Sequence, residues 1–569
     1  MLKFFQKRSE AISQRITWGH WFTLFNIGIV LFIASRYAFN ADWPNTFLGK
    51  AYFFISLFGH FSFVVFAVYL LLLFPLSFVI KNQLTFRVIS VILATGGMVL
   101  LLIDTEVFRT LYLHLSPLVW ELFISPKGLN FLSHWQFIIP ILAIFIAEIA
   151  SSYWIWRKLR RFGRQKWGKF VALFFITCFI ATHLFYAWAD VTLYRPITAQ
   201  KSNYPLSYPM TAKTFFEKHG FANHSVLEQQ IKEHGRPEAF YLNYPKTKLI
   251  MDEPEHKINL MIINVATLRP DAISATNMPN LTDIRSNSLY FNQHYTAGNT
   301  AMASVVNLFY GLSGQYVDSI LNEQQPSPLI TTLQQYQYQL GLFSANEFKA
   351  PIYRQALFNK LKVMAKKSNN NIIKQWKKWL QKSNQYPSFS YLDLNLPQSI
   401  NYTKRVQLLD RQIGTLWNTL KEQDQLSNTL VIITASLGED LTIDNSFDKK
   451  RSHIPMMMYW KGEKGDYSQL SSHLDIMPTL LNQFFGVTNP ISDYAQGINL
   501  NETNNRKWLP SADHKWRVAI MLDGEQYQIN PKKGRFKYFN IEGKQQKNKE
   551  APLALFLQLI RDSNQFMEK

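Results

Sequence analysis

The sequence predicts a two-part protein: a bundle of five membrane-spanning helices, then an α/β domain built on a parallel sheet. Three observations carry this. The first 190 residues hold five apolar runs, and a bilayer crossing needs about 20 apolar residues. From about Lys257, short apolar runs alternate with helical patterns, as in a sheet covered by helices on both faces. Charged residues are only 17% and aromatics 15%, with 44 Phe, which excludes a disordered chain. The single cysteine, Cys178, excludes a disulfide scaffold. The uneven spread of apolar residues argues against a cytosolic enzyme. The net charge of +21 is read below as topogenic, and no nucleic-acid partner is expected.

The runs lie near Trp18–Ala34, Ala51–Ile80, Val88–Ile103, Phe137–Ile155 and Phe170–Ala189. The third is the shortest. The first lacks a small-residue cleavage site, so it does not read as a signal peptide. Lys3, Lys7, Arg8 and Arg15 precede the first span, and Lys81 and Arg87 occupy the second loop. The fourth loop carries Arg157, Lys158, Arg160, Arg161, Arg164, Lys166 and Lys169 with no acid. The excess of bases puts the N-terminus and even loops in the cytoplasm, and everything after Asp190 outside; in a Gram-negative cell that side is the periplasm. Arg36, Asp104 and Glu106 read as interfacial, snorkelling groups. Glu148 lies deeper, as a buried interhelical contact or part of a polar cavity, and His20, His60 and His183 are further polar groups in or beside the spans. The fourth loop is also a candidate for binding anionic headgroups or a cytoplasmic partner.

After the last span, Pro196, Pro205 and Pro209 break helix and predict a turn-rich collar. Thr211 is the expected cap of a short helix ending near His219, with Gly220 as its stop. Phe215 and Phe216 with Lys213 and Lys218 make it basic and amphipathic, which suits an anionic bilayer surface. The boundaries are therefore 1–190 for the spans, 191–256 for a membrane-surface linker and 257–569 for the distal domain.

In that domain Ile258–Val265, Tyr338–Ala345, Ser388–Leu394, Thr429–Ala435 and Ile454–Trp460 read as strands, continuous and apolar as in a buried parallel sheet. Tyr402–Glu422 and Asp475–Phe485 read as helices. Asp523-Gly524 is the turn of a hairpin near the C-terminus, and the Asn/Gln/Lys-rich stretch Lys366–Lys382 reads as a solvated helix face or loop.

The motifs "MPNL" (Met278–Leu281), "GNTAMAS" (Gly298–Ser304) and "SHLDIMPTLL" (Ser472–Leu481), in that order and with "TLVIITASLGE" before the last, resemble the alkaline-phosphatase superfamily. The branch is that of sulfatases, phosphoethanolamine transferases and lipoteichoic-acid synthases, and the resemblance spans about Lys257–Asn501. With "WGHWFTLFN", "SRYAFNADWP" and "YRPITAQKSNYPLSYPMTAKTFFEKHG" added, the whole chain resembles the inner-membrane YejM (PbgA) family. That resemblance implies five spans, a membrane-surface linker and a periplasmic sulfatase-like domain. It also implies binding of lipid A or anionic lipid such as cardiolipin. It further implies control of lipopolysaccharide synthesis through an inner-membrane partner that governs turnover of the committed-step deacetylase. It points to Pro209–Thr214 as the lipid A-contacting element, where Lys213 and Thr214 stand in place of two arginines. Pro209, Met210, Thr211, Ala212, Lys213, Phe215 and Phe216, with Arg195 and Lys201 as added charge, form the expected lipid-binding set.

Active members of the superfamily use a divalent metal to bind phosphate or sulfate oxygens and activate a nucleophile. The family pattern places an acid at the end of the first strand, where this chain has Ala266. It places an Asp-His pair after the "VIIT" strand, where Ser436 and Leu437 stand. Thr300 keeps the nucleophile position. Ala and Leu cannot ligate a metal and a neutral Ser is a poor substitute, so neither a catalytic residue nor a cofactor is expected. Among Asp271, Asp283, Glu439, Asp440, His294, His453, His473 and Asp475, the best rescuers are Glu439 and Asp440. His473 and Asp475 sit at a helix start, where capping is the plainer role, and Thr300 is expected to persist as an N-cap or weak anion contact. Arg269 and Arg451 are candidates for holding an anionic headgroup. Three readings follow: a non-catalytic membrane lipid sensor, a residual hydrolase or phosphoethanolamine transferase with Thr300 as nucleophile, and a phospholipid carrier.

Overall fold

The computed structural model describes residues 2–41, 43–124, 138–220, 223–252, 254, 256–383, 387–397, 401–438, 445–503, 505–547, 549–550 and 552–568. The chain divides into two compact units, Met1–Glu228 and Gln229–Glu568, so the 191–256 stretch is shared between them.

The first unit holds five helices long and apolar enough to cross a membrane: Ser9–Asn40, Phe47–Val79, Gln83–Leu111, Ile138–Arg157 and Trp167–Val191. They contain or closely overlap the five apolar runs. The third is not the shortest; it reaches 29 residues. Asn82 starts it early, its Oδ1 accepting from the amides of Leu84 (2.8 Å) and Thr85 (3.2 Å), and left-handed Tyr112 closes it. The second helix carries a π-turn at Tyr69–Leu73. Gly59 lets the second and fifth helices touch backbone to backbone: a Cβ there would lie 2.7 Å from the carbonyl carbon of Cys178.

Hydrogen bonds sort the two ends of the bundle. Arg15 donates to the carbonyls of Ser77 (2.8 Å) and Lys81 (3.1 Å), tying the first span to the second loop. At the other end Tyr194 donates to Thr46 (2.8 Å) and the Gln200 amide to the Gly49 carbonyl (2.9 Å), so the collar lies with the first loop. Arg36, Asp104 and Glu106 do not snorkel. The two carboxylates are buried: Glu106 pairs with Arg36 (2.8 Å) and Arg109, and Asp104 accepts from Tyr37 (2.5 Å), the Leu115 amide (2.6 Å) and the His114 ring (2.7 Å). Three hydrogen bonds replace water at each carboxylate, from two arginines at Glu106 and from three residues at Asp104, which is why burial is tolerated. Glu148 is a fully buried interhelical contact; Asn26, its amide nitrogen toward the carboxylate, donates to both oxygens at 2.7 and 3.0 Å.

The second unit is an eight-stranded sheet and a five-stranded antiparallel sheet. Strands β1 (Asn259–Thr267), β2 (Leu289–Tyr295), β3 (Gln339–Ser344), β4 (Met364–Ala365), β5 (Ser388–Leu394), β6 (Thr429–Leu437), β7 (Met456–Tyr459) and β8 (Gly465–Ser472) make the first, in the order β4-β3-β5-β1-β6-β7-β2-β8. Successive residues of β1 feed two cores: Leu260 and Ile262 one, Met261, Ile263 and Val265 the other. Both faces are covered, so the strand reads as one unbroken apolar run. The sheet is not wholly parallel. β7 runs antiparallel to β6 and β2, because the chain returns from the end of β6 without crossing back over the sheet. β2 and β8 escape the sequence reading, since Asn292, Gln293 and His294 in one and Asp466, Ser468 and Gln469 in the other break the apolar run. Asn369–Leu380 is an amphipathic helix, with Ile372, Ile373 and Trp376 buried. The second sheet runs β9 (Trp508–Ala512) to β13 (Gln545–Gln546), and Asp523-Gly524 turns β10 (Arg517–Met521) into β11 (Gln526–Asn530).

Candidate functional site

Two of the three strongest motifs, "GNTAMAS" and "SHLDIMPTLL", meet beside the C-terminal end of β6, while "MPNL" packs in the other core, and each has a structural task. In "MPNL", the amide of Leu281 (2.8 Å) and the side chain of Asn280 (2.7 Å) donate to buried Asp410, which locks two helices together. In "GNTAMAS", Thr300 is the N-cap of Ala301–Tyr310, its hydroxyl accepting from the Ala303 amide at 3.1 Å. Its hydroxyl is exposed, with no general base bonded to it among the described residues. In "SHLDIMPTLL", Ser472 and Asp475 form a capping box, and Asp475 takes a two-pronged ion pair from Arg506 at 2.9 and 3.0 Å. His473 is wholly buried, with Nε2 2.8 Å from the Thr434 hydroxyl and Nδ1 3.0 Å from that of Ser304. Burial pulls its pKa down to about 3, so it sits neutral with both nitrogens engaged. His294 is likewise buried and held well below the usual imidazole range by burial.

The positions of the family's metal do not fit one. Ala266 and Leu437 offer no donor atom. Ser436 is buried and bonded to the Asn264 amide at 2.9 Å, and that amide also reaches the Tyr391 hydroxyl (3.2 Å), which meets the Tyr353 hydroxyl (2.8 Å). A neutral, mutually satisfied network thus occupies the strand ends. Two acids, Glu347 and Asp393, line the cleft beside these strand ends; Asp393, at the end of β5, accepts from the Ser344 hydroxyl at 2.7 Å. Burial raises its pKa to about 6, against the opposing pull of its hydrogen bonds. Among the described residues, no group of three His, Cys, Asp or Glu is placed to hold a metal ion. Glu439 and Asp440 lie outside the described residues. Exposed Asp271 pairs with half-buried Arg269 at 3.0 Å, and the His453 ring bonds the Asn292 carbonyl at 2.9 Å, so neither turns to the strand ends. What remains is a cleft of about 520 Å3 lined by Ala266, Met302, Tyr353, Lys367, Asp393 and Ser436. Asn264, Tyr391 and Asp393 were missed in the sequence; the signal for Asp393 is a lone acid at the end of an otherwise uncharged buried strand.

The collar is a second candidate. The helix there is Lys213–Lys218, six residues long. Thr211 does not cap it; Ala212 stands at the N-cap with no side-chain bond, because the chain turns helical one residue later than expected. Lys213 is not a free cation: its Nζ lies 3.1 Å from Asp190, whose side chain is 8% exposed. The Met210 amide donates to His183 (3.0 Å), His60 bonds the Pro205 carbonyl (2.8 Å) and Tyr204 donates to the Phe53 carbonyl (3.2 Å). Held by these bonds, Leu206, Tyr208, Met210 and Phe215 remain 73%, 83%, 46% and 57% exposed. Lys201 is exposed beside them, Arg195, Pro209, Ala212 and Phe216 are half-buried, and Thr211 is exposed. Beneath, an apolar groove of about 550 Å3 runs from Leu206, Pro205 and His114 down to Leu93, Gly97 and Leu101.

Residues 5–251 match a domain of unknown function (DUF3413), and residues 393–487 match the sulfatase family. A protein of the alkaline phosphatase superfamily from Vibrio parahaemolyticus superposes with a TM-score of 0.47 at 14% identity, over 57% of this chain and 92% of that one. The chain is 44% identical to an uncharacterized protein of Haemophilus influenzae over 98% of its own length and 97% of the relative's. It is 38% identical to the inner membrane protein YejM of Salmonella typhi over 99% of both chains. The five-span bundle, the sulfatase-like α/β domain and this end-to-end identity together place the chain in the YejM family of inner membrane proteins.

Proposed function

We propose that the chain is a non-catalytic lipid sensor of the bacterial inner membrane, regulating lipopolysaccharide synthesis and outer-membrane lipid homeostasis. Its N-terminus is cytoplasmic and its sulfatase-like domain periplasmic. The collar reads lipid A, or another anionic lipid such as cardiolipin, at the outer face of the membrane. An inner-membrane partner relays the signal to turnover of the deacetylase. The observation that carries the reading is the collar itself: four exposed apolar side chains beside bases, fixed to the bundle by hydrogen bonds of Tyr204, Pro205 and Met210 over an apolar groove. An apolar patch of this kind, rimmed by cations, suits acyl chains below and phosphates above. The strand-end network around Asn264 and Ser436 argues for a domain that serves as a body rather than an enzyme.

The test is lipid A binding by the full chain in nanodiscs. Lys213→Glu and Phe215→Asp should each weaken binding several-fold, about five-fold for one surface contact near an anionic membrane, while Lys366→Glu in the distal domain should not. Because Lys213→Glu also exposes Asp190 to a like charge, Lys201→Glu serves as the variant free of that pairing. Equal losses from all of these charge changes would mean that only net charge matters and would overturn a specific collar.

A further inference from the structure

A second apolar groove opens at the opposite end of the bundle from the collar. Its volume is about 580 Å3. The walls are Trp21, Leu24, Phe63, Phe66, Phe175 and Ile176, and Thr17, Gln165 and Lys169 stand where the helices leave the membrane. Two polar groups line it, Tyr69 buried and His20 on the exposed surface of its helix. The Tyr69 side chain is 3% exposed, and its hydroxyl has no hydrogen-bond partner. The ring is seated by Gly19, where a Cβ would lie 2.8 Å from it, and its position follows from the π-turn that starts at Tyr69. His20 faces the Tyr69 ring at 5.5 Å between centroids, and among the described residues its ring nitrogens bond to nothing. A buried hydroxyl left unpaired carries the full cost of its lost solvation, and an imidazole in hydrocarbon defaults to a functional role.

We propose that this groove holds one acyl chain of an anionic glycerophospholipid drawn from the leaflet on the N-terminal side. The phosphate meets Lys169 and the acid-free basic loop Arg157–Lys169, and the ester carbonyl accepts from the Tyr69 hydroxyl. Three features commit to this occupant. The loop charge is wholly positive and calls for an anion. The inner donors lie below the mouth, where a lipid carries ester oxygens beneath its phosphate. A spanning helix of a partner, about 10–12 Å across and 30 Å long, occupies roughly 2,400–3,400 Å3, several times the groove. The collar groove opens at the other end of the bundle, and although Thr23 and Tyr69 line both grooves, Lys169 and Ala172 line this one alone.

The experiment is photo-crosslinking of the full chain in nanodiscs, with a diazirine placed on the acyl chain of phosphatidylglycerol or of phosphatidylcholine. Labelled residues are mapped by mass spectrometry. Wild type should label within 162–179 and around Tyr69, with phosphatidylglycerol favoured about five-fold, the effect of one base near an anionic headgroup. Ala172→Trp, which fills the groove from a position exposed to it, should abolish that labelling. Lys169→Glu should erase the preference between lipids, and Tyr69→Phe should lower occupancy without changing the preference. Labelling at the collar should be unmoved by Ala172→Trp and Lys169→Glu, since neither residue lines the collar groove. Equal labelling by the two lipids in wild type, or labelling that survives Ala172→Trp, would mean ordinary annular lipid and would overturn the proposal.

Discussion

Replacing Asp475 with alanine tests whether the most family-like motif of the domain is scaffold or site. The carboxylate is fully buried. It accepts from the amides of Ser472 (2.7 Å) and Ile498 (2.9 Å) and from both terminal nitrogens of Arg506 (2.9 and 3.0 Å). Alanine would take away the carboxylate to which two amides and a guanidinium, 13% exposed, donate. Removing one partner of a buried ion pair costs about 3–5 kcal/mol. At roughly 2 °C per kcal/mol for a large domain, Asp475→Ala should lower the domain's melting midpoint by about 6–10 °C. Arg506→Met should cost less, about 1.5–3 kcal/mol, because both amides still satisfy the carboxylate. The double variant should fall well short of the sum, since the two changes remove one interaction. The assay is thermal unfolding of the full chain in detergent, followed by proteolysis of the 229–568 unit. A midpoint unmoved by Asp475→Ala, or additive losses, would refute the clamp. A wild-type midpoint raised by added magnesium or zinc and unraised in Asp475→Ala would make the carboxylate a metal ligand instead.

Three further outcomes are expected. Asp393 has its folded pKa raised from 3.8 to about 6, so the stability it contributes is full below the unfolded value and is lost as pH rises through about 6. The difference is about 3 kcal/mol, and Asp393→Asn should therefore gain stability over wild type above pH 6 and none below pH 4; a pH-independent difference would refute the burial argument. In the bundle, Glu148→Ala leaves Asn26 unpaired and should cost about 1–3 kcal/mol in detergent unfolding, whereas Glu148→Gln should be milder; equal costs would show that the pair is incidental. Reporter fusions after Lys166 and after Lys257 should lie on opposite sides of the membrane, and finding both on one side would sink the five-span topology.

Patterns that repeat along the chain were legible before any coordinates. Five apolar runs became five helices because hydrocarbon forces each crossing segment to satisfy its own backbone, a requirement local to the segment. The apolar runs of β1, β5 and β6 announced a sheet buried on both faces for the same kind of reason. The losses at Ala266, Ser436 and Leu437 could also be read directly, because a side chain without a donor cannot ligate a metal in any fold. Pairing across distance could not be read. That Asp104, Glu106 and Glu148 are buried rather than snorkelling depends on Tyr37, His114, Arg36 and Asn26, which lie on other elements, up to 122 positions away. That Asp475 clamps Arg506, and that Asn264 and Ser436 satisfy each other at the strand ends, depends on which strands neighbour which. The reversal of β7 and the late start of the collar helix were hidden likewise: each turns on where the chain must return to, a property of the packed structure rather than of the residues in the segment. The grooves at the two ends of the bundle are tertiary too, since an apolar helix face reads alike in sequence whether it meets a neighbour, a lipid or a cavity.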